Sequence, residues 1–247
     1  MARADQLLVA SGLAASRTAA QRMIAAGRVN WPGGIVAKAA LELAPETPLT
    51  VTADAEDRFV SRGGLKLAGA LSSTAVDVAG RTCLDVGQST GGFTDCLLQA
   101  GARHVVGVDV GHGQLHPKLL ADSRITSFEG VNCRNLAASD LGDTMPNEGF
   151  DLIVGDLSFI SLTLVLPQLP PLLADSGDLL LLVKPQFEVG PGNIGKGGIV
   201  RDPTLHDKVE RKLRQCAASV GLTVRAWLAS PLTGGDGNRE FFIWLNK

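Results

Sequence analysis

The fold turns on Thr82-Cys83-Leu84-Asp85-Val86-Gly87-Gln88-Ser89-Thr90-Gly91-Gly92-Phe93-Thr94-Asp95. Its apolar run 83–86 suits a buried strand, glycines interrupt it, and 90–100 resumes with helical spacing. A strand feeding a helix through a Gly-rich turn opens a nucleotide-binding α/β unit. Glycine has no Cβ, so the backbone can bend sharply there and lie against a ligand. A nicotinamide dinucleotide fingerprint reads G-x-G-x-x-G, whereas Gly87, Gly91 and Gly92 are spaced as G-x-x-x-G-G. Asp85 adds a carboxylate at the strand end, which repels a pyrophosphate and attracts the ammonium and sulfonium of S-adenosylmethionine. An ordinary tight turn without a ligand fits the same residues, and the motif alone leaves that alternative open.

Downstream, strand and helix patterns alternate. Strands are expected at 104–108, 125–129, 151–156, 178–183, 222–228 and 240–245, and helices at 90–100, 115–121, 135–141, 162–173 and 205–220. Such alternation calls for an α/β fold with a mostly parallel sheet covered on both faces, its ligand site beyond the carboxyl ends of the strands. Polar residues fall at those ends. Asp109 follows the second strand, where an acid can accept ribose hydroxyls, and Glu129 and Asn132 follow the third, in position to border an adenine. Asp156 and Lys184 end the next two strands. Glu240 opens the last and returns to the same rim if that strand runs antiparallel. Each alone is readily an exposed strand-end charge; their convergence on one edge is what suggests a site.

With 247 residues, 45% of them hydrophobic and 19% charged, the chain has room for one large and one small domain and little reason for disorder. The net charge of −2 argues against a wholesale nucleic-acid binder. Residues 1–40, however, carry Arg3, Arg17, Arg22, Arg28 and Lys38 against Asp5 alone, a local +4 that points to a dedicated polyanion-binding module. Cys83, Cys96, Cys133 and Cys216 form no C-x-x-C pair, and the four histidines have no ligand spacing, so reduced thiols, a cytoplasmic location and no metal are expected. The apolar stretches 179–183 and 160–173 fall short of the roughly 20 residues of a membrane span, the second broken by Pro167, Pro170 and Pro171. No stable membrane association is expected.

The first 55 residues read as two short helices, one ending at Gly12 and one running from a Ser16 cap to Gly27, followed by a small β segment. Residues 44–61 read as a last strand and a polar linker. The segments Arg3-Ala4-Asp5-Gln6-Leu7-Leu8-Val9-Ala10-Ser11-Gly12-Leu13, Ser16-Arg17 and Ile24-Ala25-Ala26-Gly27-Arg28-Val29 resemble the RNA-binding module first seen in small-subunit ribosomal protein four. That family usually has Leu where Ala4 stands and Asn-Gly where Pro32-Gly33 stands. Its second helix faces RNA backbone, which implicates Arg17, Arg22 and Arg28, with Arg3 beside them; phosphate contacts of this kind position a protein without reading sequence.

Ser61-Arg62-Gly63-Gly64-Leu65-Lys66-Leu67, the 85–95 turn, Asp156-Leu157-Ser158-Phe159-Ile160-Ser161, Val183-Lys184-Pro185-Gln186-Phe187-Glu188 and Gly237-Asn238-Arg239-Glu240-Phe241-Phe242 together resemble the TlyA, or hemolysin A-type, ribosomal RNA methyltransferases. The resemblance spans nearly the whole chain and implies an RNA-binding module at 1–55, a linker at 56–64 and an FtsJ-like, Rossmann-type S-adenosylmethionine domain at 65–247. It implies methylation of a ribosomal RNA ribose 2′-hydroxyl, cytidine in this family, with Lys66, Asp156, Lys184 and Glu240 as the Lys-Asp-Lys-Glu tetrad. Cofactor contacts would come from Asp85, Gly87, Ser89, Gly91, Gly92, Phe93, Asp109, Glu129, Asn132 and Asp156, and RNA contacts also from Arg62 and Lys196. Gln88 replaces the family's usual small residue.

A ribose hydroxyl is a weak acid and a poor nucleophile, so the chemistry requires alignment of the oxygen and help for its proton. Lys184 is expected to take or stabilise that proton, the Lys66 amine favouring its neutral form and the two acids opposing this. Asp156-Leu157-Ser158-Phe159 lacks the two prolines of the Asn/Asp-Pro-Pro-aromatic turn used in amino-group methylation of bases. The Gly-rich 190–198 segment with Lys196 fits either a closing loop or one without a role. The absence of tyrosine and the low aromatic content argue for recognition by RNA shape and phosphate rather than a stacking platform. Competing readings are a non-catalytic ribosome-assembly factor, a membrane-active haemolysin and a nicotinamide dehydrogenase.

Overall fold

The computed structural model describes residues 1–14, 16–235 and 237–247. The chain forms two compact units, Met1–Asp57 and Arg58–Lys247.

In the first unit β1 (Ala2–Arg3) leads directly into α1 (Ala4–Ala10), and Ser16 caps α2 (Arg17–Ala25) by accepting from the Ala19 amide at 3.2 Å. β2 (Val29–Trp31) pairs antiparallel with β3 (Gly34–Ile35) and β5 (Thr50–Val51), while β4 (Glu42–Leu43) pairs back onto β1. Leu7, Leu8, Ala20, Ile24, Val29 and Val36 close a small core between helices and strands. Gly27 takes φ +69° immediately after α2, the left-handed conformation that lets the chain reverse into β2.

The second unit opens with α3 (Arg62–Thr74), whose first turn contains Gly63 and Gly64. The sheet of this unit, among the described residues, has seven strands. In chain order these are β6 (Thr82–Val86), β7 (His104–Asp109), β8 (Ile125–Glu129), β9 (Phe150–Gly155), β10 (Leu173–Val183), β11 (Thr223–Ala229) and β12 (Phe241–Asn246). Their spatial order is β11-β12-β10-β9-β6-β7-β8. Pairings from β8 through β10 are parallel, and β12 runs antiparallel between β10 and β11, as expected of an α/β sheet with a reversed last strand.

Side chains alternate cleanly between two cores. Leu84, Val86, Val106, Ile153, Leu181 and Ile243 face α6 (Pro203–Ser219). Cys83, Val105, Leu152, Val154, Leu180 and Phe242 face α3 and α4 (Gly92–Gln99). By the same parity Asp85 and Glu240 point to the α3/α4 side. The winding reverses between β6 and β9, and this is where a crevice opens in such sheets.

Three expected helices differ. Segment 115–121 shortens to α5 (Pro117–Leu120). Segments 135–141 and 162–173 become strings of 3₁₀ turns, the second at Leu162–Leu164, Leu166–Gln168 and Pro170–Leu172. Pro167, Pro170 and Pro171 supply no amide to an i→i−4 ladder, and the chain closes i→i−3 bonds instead, such as Val165 N to Leu162 O at 3.0 Å.

Candidate active site and cofactor crevice

α3 brings its first turn against the start of α4. A Cβ at Gly92 would overlap Ser61 Oγ, and one at Gly63 would lie 3.5 Å from the Phe93 ring and 3.7 Å from Asp156 Oδ2. Bare backbone at Gly92 is therefore what lets the start of α3 lie against α4, while Gly63 would admit a Cβ at ordinary contact distance. Lys66, one turn further along, is buried rather than lying on the helix's outer face, and its Nζ donates to Glu240 Oε2 at 2.5 Å. Glu240 sits just before β12, beside Phe242, whose ring stacks on Phe93 at 6.1 Å. Burial raises the Glu240 carboxyl above the usual carboxylate range; the Lys66 hydrogen bond and charge pull it down, Asp156 pushes it up and Lys184 pulls it down. The two charge pairs therefore share one field.

The second pair is Lys184 Nζ with Asp156 Oδ1 at 2.6 Å, and the same ammonium donates to Ser158 Oγ at 2.8 Å. The structure thus brings all four expected tetrad residues to the strand-end edge as two lysine–carboxylate pairs, one sealed and one closer to solvent.

A residue outside the expected set fastens the second pair. Glu188 is buried and accepts from Ser161 Oγ and Leu162 N at 2.6 Å each and from Lys212 Nζ at 3.0 Å. It ties the loop after β9 to the loop after β10, hence Asp156 to Lys184. A lone acid inside the 183–188 motif is the only signal of it in the sequence. Asn238 is also fully buried: its Oδ1 accepts from Val200 N and its Nδ2 donates to Gly198 O, both at 2.9 Å, anchoring one end of the 190–198 segment. Lys196 lies exposed on that segment.

Nothing in the sequence pattern marks Phe159 as an accessible ring. It is 91% exposed, takes φ +64°, and its ring lies 5.1 Å from Phe187. A bulky residue held left-handed and in water, three positions after Asp156, departs from both backbone preference and burial.

On the cofactor side, Gly87 (φ +83°) turns beneath Asp156: a Cβ there would lie 3.1 Å from the Asp156 carbonyl. Gly91 (φ +88°) passes Leu115 and Leu119 too closely for a side chain, and Ser89 is left-handed at φ +48°. Asp85 is fully buried; Oδ2 accepts from Thr94 Oγ1 at 2.6 Å while Oδ1 has no partner among the described residues. Burial pushes this carboxyl up to about 7, Thr94 pulls it down, and Asp156 and Asp109 add to the rise. A buried acceptor with one oxygen unused fits a cationic donor, as an S-adenosylmethionine ammonium would be. Asp109 accepts from Ser89 N at 2.8 Å and Gly111 N at 2.7 Å, Glu129 from Gly113 N at 2.7 Å and Asn132 from Arg134 N at 3.0 Å, so Asp109 and Glu129 tie neighbouring turns to their strand ends and Asn132 shapes its own turn.

With that geometry in view, comparison with known proteins is decisive. The model of the FtsJ-like methyltransferase family matches residues 59–247. The 16S/23S rRNA (cytidine-2′-O)-methyltransferase TlyA of Mycobacterium tuberculosis is 47% identical over 99% of this chain and 89% of its own. The chain belongs to the TlyA family. Hemolysin A of Brachyspira hyodysenteriae, another TlyA relative, is 36% identical over 97% of both chains. A solved structure named for hemolysin, from Streptococcus thermophilus, is 40% identical with a TM-score of 0.78, covering 100% of this chain and 88% of that one. An S-adenosylmethionine-dependent methyltransferase from Mesorhizobium loti, 15% identical with a TM-score of 0.52 over 72% of this chain and 96% of that one, shares the fold.

In the N-terminal unit, buried Asp5 accepts from Arg3 twice at 3.0 Å, from Arg17 at 3.2 Å and from Gln21 at 2.9 Å. Arg22 is exposed on α2. Arg28 departs from the expected RNA face: it is buried, donates to Thr52 O at 2.9 Å and pairs with Asp57, so its charge is consumed in holding β5 and the following turn. Arg62 Nη2 donates to Thr233 O at 3.4 Å. No helix of the described residues is long and apolar enough to cross a membrane, and no cluster of metal-ligating side chains occurs among them.

Proposed function

We propose that this protein methylates the ribose 2′-hydroxyl of a cytidine in ribosomal RNA within assembled ribosomal subunits, in the cytoplasm, with S-adenosylmethionine as donor. The observation carrying this reading is the pair of lysine–carboxylate couples set beside the glycine turn that holds Asp85. S-adenosylmethionine supplies an already activated sulfonium methyl, so the chain's own residues have only to bind, align and manage one proton.

Asp85 and the bends at Gly87, Ser89, Gly91 and Gly92, with Phe93 behind them, form the cradle; Asp109, Glu129, Asn132 and Asp156 border it. Lys66 and Glu240, locked in a buried pair, shape the floor. Lys184, in the pair whose carboxylate is the more exposed, is steered by Asp156 and Ser158, and it takes or stabilises the proton of the sugar hydroxyl as charge builds on the oxygen. Phe159 gives the rim an exposed face on which a target base can stack. Residues 1–57 act as the RNA-binding module, with Arg3, Arg17 and Arg22 meeting phosphates; Arg62 and Lys196, on the second unit, contact RNA phosphate as well.

Mass-spectrometric mapping of ribose methylation in ribosomes from cells with and without this protein tests the reading. Loss of a 2′-O-methylcytidine that the purified protein restores on unmodified subunits is expected; unchanged ribose methylation overturns it.

A further inference from the structure

Gln88 follows the Gly87 bend, and its side chain is buried rather than directed at solvent. The carboxamide fills space left by Gly107 on β7, where any Cβ would overlap it. From there Nε2 donates to Thr94 Oγ1 at 2.9 Å, and Oε1 accepts from Ser127 Oγ at 2.7 Å on β8. Thr94, fully buried, then donates to Asp85 Oδ2 at 2.6 Å.

The direction of this chain matters. A hydroxyl has one hydrogen. While Gln88 donates to Thr94, the Thr94 hydrogen is free to go to Asp85, and Asp85 must accept. The opposite direction, with a protonated Asp85 donating to Thr94 and Thr94 donating to the amide oxygen, requires the Gln88 amide to turn over and Ser127 to become the acceptor. The structure has the first arrangement, with Ser127 Oγ donating to Oε1 at the far end of the chain.

We infer that Gln88 is a positioning residue: through Thr94 it keeps the Asp85 carboxylate as an acceptor, with Oδ1 presented to the ammonium end of S-adenosylmethionine. The inference rests on the assignment of Asp85 to that cationic end. Groups facing Asp85 are the Asp156 carboxylate at the end of β9, the Asp109 carboxylate at the end of β7, and the thiols of Cys83, Cys96 and Cys133. Burial pushes those three thiols up to about 12, so they remain uncharged through neutral pH. Both carboxylates favour a proton on Asp85, and the Gln88–Thr94 relay opposes them.

The test is calorimetric binding to the full chain, between pH 5.5 and 8.5, of two probes. S-adenosylhomocysteine carries the ammonium and 5′-methylthioadenosine does not. The parent is expected to bind the first more tightly as pH rises towards about 7, and the second with little pH dependence. Gln88→Met should move the rise to higher pH, weakening S-adenosylhomocysteine about tenfold near pH 6.5, as a shift of one pH unit in the midpoint produces, with 5′-methylthioadenosine unchanged as the check on folding. Ser127→Ala, at an exposed strand position, should do the same more weakly. A variant profile superimposable on the parent's overturns the role of Gln88. A parent whose two probes share one pH profile instead overturns the Asp85 assignment beneath it.

Discussion

Two fully buried aspartates, one in each unit, receive opposite treatment. Asp5 accepts hydrogen bonds from Arg3, Arg17 and Gln21, led by Arg3, which hold its carboxyl far below the usual range. Asp85 receives Thr94 on one oxygen and nothing on the other among the described residues, and burial raises it to about 7. The first is a saturated acid that organises architecture: it fans two arginines across the face of α1 and α2. The second is held short of saturation, and such a deficit at a strand end is how a fold reserves an acceptor for something not yet present.

The predictions test that contrast. The largest effect falls on the pair nearest the open edge: Lys184→Ala should slow methyl transfer on ribosomal subunits by about 10³-fold while S-adenosylhomocysteine affinity, read by calorimetry, stays within about twofold. Retained turnover would remove Lys184 from the proposed role.

Next comes the deficit itself. The folded Asp85 carboxyl sits above its ordinary unfolded value, so the native state keeps a proton that the unfolded chain has released, and this group's contribution to stability falls as pH rises from about 4 to about 7. Asp85→Asn removes that titration. The difference in denaturant stability between variant and parent should move in the variant's favour by on the order of 2–4 kcal/mol from pH 4 to pH 8, with cofactor affinity lost. A flat difference would place Asp85 among the saturated acids.

Asp5→Ala should cost about 2 kcal/mol, visible as lost amide-exchange protection in α1 and α2 of the full chain while β6 to β12 keep theirs. Phe159→Ala should raise the KM for ribosomal subunits about tenfold, a stacking contribution of about 1–2 kcal/mol, without weakening cofactor binding. Smallest is the arginine comparison: Arg22→Ala should reduce the salt dependence of RNA binding by about one unit of slope and leave melting unchanged, whereas Arg28→Ala should lower the melting temperature.

Much of this architecture is legible in the sequence. The 82–100 segment announces itself because an apolar run, a glycine bend and helical spacing are all local signals, and strand ends carrying Asp109, Asp156 and Lys184 follow from the alternation. Lys66 is legible only through family likeness, because a lysine on a Leu/Ala helix has the pattern of a surface residue; its burial depends on β12, far away in sequence. Arg28 misleads for the same reason, its neutralising partner Asp57 lying beyond a strand pair. The 162–173 segment has a helix's hydrophobic spacing, but periodicity does not register a missing amide. Phe159 is lost in a low aromatic count, which says how many rings exist and nothing about which one stands in water.

The empty space at Gly107 also limits substitution. A methyl arriving at 107 would overlap the amide and disconnect Asp85 in one step, without any change at Gln88 itself. The glutamine at 88 thus confines its neighbour across the sheet to the one residue without a Cβ.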